Sequence, residues 1–174
     1  MRSEWIRREE MAHVLAALTP PNRLACEISE ATGLRIGDVL LLTREQVLSD
    51  RFSVREQKTG KVRRIYLPRE LQLRALRMAG PVYVFSGRLD GRKPRTRQAV
   101  YKDLRRAARL FRLREHISPH SLRKVWAVEQ LHGGKSLKQV QKLLNHRSEA
   151  VTMLYAMADE LTQRRIGKHG KDDD

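Results

Sequence analysis

Cysteine is almost missing. The 174 residues contain one, Cys26, so there is no internal disulfide framework and no cysteine-rich zinc site, and a reducing compartment suits the chain. Aromatic residues make up 5%, too few for the stacking platforms of a single-strand nucleic-acid binder. No apolar run approaches the roughly 20 residues of a bilayer-crossing helix. The opening stretch MRSEWIRREE lacks the apolar core of a secretory signal. No cluster of carboxylates stands at metal-ligand spacing; the run Asp172 to Asp174 is terminal and reads as solvated, so no metal is expected.

Positive charge is abundant. Lys and Arg number 36 against 20 Asp and Glu, a net charge of +16. A compact domain of ordinary size tolerates such self-repulsion more readily with a polyanionic partner. Most of the cations are Arg, whose planar fork matches phosphate oxygens two at a time. No stretch shows the clean Trp/Phe/Leu face of an interfacial helix. Duplex nucleic acid is therefore the leading partner, and a membrane is not expected.

Hydrophobic periodicity and caps predict a mainly helical α+β domain. SEWIRREEMAHVLAAL reads as a helix behind Ser3, ended by Thr19-Pro20-Pro21. NRLACEISEATG reads as a second helix closed by Gly33, followed by a buried helical turn, RIGDVLLL. RFSVREQ and KVRRIYLP, separated by KTG, predict a small antiparallel hairpin. RELQLRALRMAG returns to helix, and VYVF reads as a short strand or extended core chain before the Gly/Pro loop SGRLDGRKPR. Thr96 caps RQAVYKDLRRAARLF, and Ser118 with Pro119 opens SPHSLRKVWAVEQL. SLKQVQKLL stops at Asn145, SEAVTMLYAM starts at Ser148, and RRIGKHGKDDD frays. A bundle of helices with an early sheet, and no internal repeat, follows.

Individually the polar residues are unremarkable in kind. Arg35 follows a helix end, Lys58 sits at a hairpin tip, His146 in a turn, and Tyr155 among Val151, Met153 and Leu154. The helix at Ser118 is odder, because His120, Arg123 and Lys124 crowd the positive end of its dipole. His120 and Arg123 share one face. Either water surrounds them or something strongly negative docks there.

Together, Arg35 in TGLRIGDVLLL, Lys58 in QKTGKVRRIYLP, His120 and Arg123 in HSLRKVWA, and His146 and Tyr155 in LLNHRSEAVTMLYA resemble the tyrosine recombinase (phage integrase) family. The order agrees, and so do the nine residues from His146 to Tyr155. The resemblance implies the catalytic fold of that family and a site-specific recombinase that cleaves and rejoins DNA without metal, ATP or other cofactor. Tyr155 would be the nucleophile, forming a 3′-phosphotyrosyl link. Arg35 and Arg123 would clamp the phosphate, Lys58, on a mobile tip, would be the general acid, and His120 and His146 would assist. Asp38 looks like the acidic partner that orients these groups, while Lys124, Arg63, Arg64, Arg95 and Arg97 are expected to touch DNA.

The resemblance further implies a tetramer holding two duplexes, accessory DNA-bending proteins as possible partners, and a cytoplasmic, nucleoid-associated protein of prokaryotic, phage or mobile-element origin. Residues 1–158 read as the catalytic domain and 159–174 as a C-terminal helix or tail; the segment ELTQRRIGK suits docking into a neighbour. No separate N-terminal DNA-clamping domain is expected, which leaves a minimal recombinase or a piece of a longer protein. Two departures stand out: Asn145 where Gly is usual, and Lys124 where His is frequent. A regulator or architectural protein with the same fold is the alternative, although pure binding needs no nucleophilic tyrosine; a type IB topoisomerase uses nearly the same side chains.

Overall fold

Within residues 6–144, which the computed structural model describes, the apolar periodicities become seven helices and one hairpin. Helix α1, Arg8–Ala16, begins later than the sequence predicts, and Ser3 lies outside the described residues. The reason is local: the Arg7 N–H donates to Glu10 Oε2 at 3.1 Å, and Glu9 and Glu10 put negative charge at the positive helix end. Helix α2, Pro20–Thr32, starts at the prolines rather than after them. Their missing N–H groups have no intrahelical partner in a first turn in any case.

Helix α2 is the hub of the bundle, packing against α1, α3 (Ile36–Leu40), α4 (Arg69–Met78), α5 (Arg97–Leu110) and α6 (Pro119–His132). Its Leu24, Ala25, Cys26 and Ile28 are fully or almost fully buried among Leu34, Leu104 and Leu122. The helix ends on Gly33, whose φ of 67° is left-handed and whose N–H closes on Ser29 O at 2.9 Å. A side chain there would also strike the Trp126 ring, 2.8 Å from where its Cβ would stand. Glycine is thus required twice, by backbone angle and by the indole above it.

Strands β1 (Arg51–Arg55) and β2 (Val62–Tyr66) pair antiparallel, with Phe52 opposite Ile65 and Val54 opposite Arg63. One face, carrying Val54 and Ile65, turns to the core. VYVF is extended core chain: Tyr83 makes a single bridge to Thr43, while Val84 and Phe85 are buried. Thr96 caps α5 by accepting from the Ala99 N–H. Helix α7, Leu137–Leu144, seats Val140 and Leu144 against Trp126 and Ala127 of α6. Asn145, the helix expected from Ser148 and the tail lie outside the described residues.

A buried carboxylate ties the α1–α2 turn to α5. Asp103 accepts from the Thr19 N–H and hydroxyl, Asn22 Nδ2 and both Nε and Nη2 of Arg106, at 2.7 to 3.0 Å. Burial works to raise its pKa, but these donors outweigh it and hold the group below its ordinary 3.8. A depressed carboxylate stabilises the fold above the unfolded-state value and loses that contribution as pH falls through the folded one. Asp103→Ala is expected to cost about 3 kcal/mol in denaturant melts near neutral pH. The gap to wild type should narrow as the pH falls below 3.8.

Candidate active site

Gly33 delivers the chain to the site. Its left-handed turn and the buried Leu34 place Arg35 immediately before α3, at the C-terminal end of α2. Ser118 then opens α6 with a capping box, accepting from the His120 N–H at 3.3 Å while its own N–H donates to Ser121 Oγ. This sets His120 and Arg123 on one face, toward Arg35. The hairpin tip brings Lys58 to the same place. Arg35, Lys58, His120 and Arg123 therefore line one cleft of about 970 Å³, with Asp38 in its wall. His146 and Tyr155 lie outside the described residues.

The crowded cations are held by oxygen. Arg123 is buried; its Nη1 donates to Gly33 O and its Nη2 to Leu144 O at 2.9 Å. Arg35 Nη1 meets Glu56 Oε2 at 2.6 Å, and Glu56 itself is fully buried. On its other oxygen Glu56 accepts from Arg63 Nη1 at 3.2 Å, while Arg63 Nη2 reaches Thr32 O at 3.0 Å. The last carbonyls of α2, at the negative end of its dipole, and one carboxylate thus organise three arginines.

Of the residues expected at DNA, the structure turns Arg63 inward. It shares the core face of β2 with Ile65, its side chain is 12% exposed, and it pairs with Glu56. Arg95 is likewise engaged, donating from Nε to Asn22 Oδ1 at 2.5 Å. Arg64, on the outer face, is exposed in a groove with Lys135 and Lys142. Lys124 is half-buried beside Arg123. Arg97 lines the cleft, its stem resting on Gly37. The sequence reading did not single out Glu56, nor the cleft residues Gln98, Tyr101 and His116. The Tyr101 hydroxyl and His116 Nε2 pair at 3.3 Å, and only tertiary contact brings them together.

Asp38 is buried, with Oδ1 accepting from the Gln57 N–H at 3.0 Å and Oδ2 without a hydrogen-bond partner among the described residues. Burial raises its pKa above the ordinary carboxylate value and Glu56 adds to this; the Gln57 N–H, Arg35 and Arg123 only partly offset them. For His120 the shift is downward, first by lost hydration against the cleft wall, then by the field of Arg123, Lys58, Arg35 and Lys124. Its imidazole is therefore neutral at pH 7.

A mainly helical domain that gathers cations about a cleft is suited to gripping a phosphodiester. The phage integrase family model matches residues 4–161. YoeC of Bacillus subtilis strain 168, a probable integrase/recombinase, is 35% identical over 142 residues, 79% of this chain and 77% of its own length. Tyrosine recombinase XerC of Corynebacterium glutamicum is 33% identical across 74% of this chain and 44% of its own. XerD of Mycobacterium tuberculosis H37Rv is 31% identical across 86% and 51%. The chain thus spans most of YoeC but about half of the XerC and XerD relatives.

Among solved structures, a lambda integrase dimer bound to a COC′ core site superposes with a TM-score of 0.73 at 22% identity, covering 90% of this chain and 48% of that one. The catalytic domain of bacteriophage HP1 integrase gives 0.64 at 20%, covering 90% and 89%. These share the fold. This chain belongs to the phage integrase family, the tyrosine recombinases, and its described part has that family's catalytic-domain fold.

The field on His120 is directly measurable. Lys58→Met is expected to raise the His120 titration midpoint toward the ordinary 6.5, as followed by NMR of the ring protons. Arg23→Met, which removes a charge near the far end of α2, should leave it in place. An unmoved midpoint in Lys58→Met would remove Lys58 from the groups that set the shift and leave it to burial and the other cations.

Proposed function

We propose that this protein cleaves and rejoins duplex DNA through a covalent link to Tyr155. The observation that carries the reading is the convergence of Arg35, Lys58, His120 and Arg123 on one cleft from three separate parts of the fold. Arg35 and Arg123 hold the non-bridging oxygens of the scissile phosphate, where fixed positive charge stabilises the charge that builds up during transfer. The Tyr155 oxygen attacks phosphorus and its proton passes to the neutral imidazole of His120. The bond from phosphorus to the 5′ oxygen breaks, its electron pair stays on that oxygen, and the Lys58 ammonium protonates it. His146 donates a hydrogen bond to the phosphate.

The phosphotyrosyl bond keeps the energy of the bond it replaced. A 5′-hydroxyl from the same or another duplex reverses the steps, so no ATP or other cofactor enters. Asp38 orients the neighbouring groups, while Arg64, Arg97 and Lys124 contact DNA outside the scissile phosphate. Strand exchange takes place in a tetramer holding two duplexes, with DNA-bending proteins assisting where the site demands them.

Fragmented DNA of the source genome, incubated with the protein and then denatured, is expected to stay attached to wild type. Tyr155→Phe should shift duplexes on a native gel yet retain no DNA after denaturation. Shifts without any attached DNA in wild type would make the protein a binder instead. On the DNA recovered this way, Lys58→Ala should slow attachment about a hundredfold or more. Sulfur in place of the bridging 5′ oxygen should restore it, because a thiolate departs without a proton. Continued failure with sulfur would take the acid role away from Lys58.

A further inference from the structure

We infer that Glu56 is a positioning residue that holds Arg35 and the Lys58 tip as one unit. The inference rests on the roles given above to Arg35 and Lys58, and it deepens them. Lys58 was expected on a mobile tip, and two strands alone are marginally stable in water. Here the tip is tied at each of the two residues before Lys58. Glu56 Oε2 accepts from Arg35 Nη1 at 2.6 Å and from the Thr59 hydroxyl at 2.9 Å, while Oε1 takes Arg63 Nη1 at 3.2 Å. The Gln57 N–H donates to Asp38 Oδ1 at 3.0 Å.

The backbone of Glu56 also closes the turn. Its N–H donates to Lys61 O at 2.9 Å and its C=O accepts from the Gly60 N–H at 2.8 Å. One buried residue therefore shapes the loop that carries the ammonium and grips the guanidinium beside it. A carboxylate bound to one edge of a guanidinium orients the whole planar fork. A buried glutamate kept only to neutralise charge would satisfy the two arginines, but would not need to sit in the loop that carries Lys58.

Hydrogen exchange on the full chain tests the unit without reference to catalysis. Glu56→Ala and Arg35→Ala cut the same contact from opposite sides. Each is expected to speed exchange of the Gln57 and Gly60 amides about tenfold or more, while α2 amides keep their protection. Unchanged tip amides in either variant would overturn the proposal. If Glu56→Ala does not fold, Glu56→Gln keeps the shape with one acceptor and should show the same selective loosening.

Kinetics adds a readout that a merely structural role would not move. Glu56→Ala should bind the recovered DNA within about threefold of wild type yet form the covalent link at least about tenfold more slowly. Sulfur at the leaving position should shrink that deficit by about threefold or more without erasing it, since only the Lys58 share is bypassed. A deficit that is absent, undiminished or wholly erased would overturn the unit. Wild type that forms no link at all would sink the recombinase reading, while the exchange data would still judge the Glu56 contact.

Discussion

The arginines at the cleft depend on fixed negative charge: the buried carboxylate of Glu56 pairs with Arg35 and Arg63, and the carbonyls that end α2 take Arg63 and Arg123. In a protein interior such a pair is costly to form, and costlier to leave half-formed. Arg35 or Arg63 without Glu56 would leave a poorly hydrated guanidinium, and Glu56 without them an uncompensated buried anion. The three residues therefore stand or fall together. Strand β2, the hairpin tip and the start of α3 are held to one another by them.

The consequence is a preorganised positive field. Donors fixed before the substrate arrives need little rearrangement when charge builds up on a phosphate, which is why such arrangements lower barriers so effectively. Lost hydration first, and then the same field, hold His120 below its ordinary pKa and disfavour its charged form. Arg123, unfavourable toward the α6 dipole, is compensated by the Gly33 and Leu144 carbonyls that hold it.

Much of this was legible along the chain, because the signals were local. Gly33 as a helix end, Thr96 and Ser118 as caps, and the hairpin around KTG all reflect backbone preferences that neighbours in sequence decide. The start of α1 was misplaced because the Arg7 N–H closes on Glu10 Oε2, which caps the helix at Arg7. Arg63 and Arg64 were read alike as DNA contacts, yet strand alternation separates them: Arg63 shares the face of Ile65, and Arg64 points the other way. That distinction was available from the pattern. The pairing of Arg95 with Asn22 was not, since 73 positions separate the two.

By itself the sequence determined a basic, mainly helical domain, its family, and which side chains are chemically able to handle a phosphodiester. Residue type and short-range spacing carry that information. Tertiary structure alone decided which cations face the cleft and which are held inside the fold. It also decided that a glutamate at a hairpin tip is buried, and that Tyr101 meets His116. Burial and charge pairing depend on distances in space between residues far apart in the chain, and no local pattern encodes those distances.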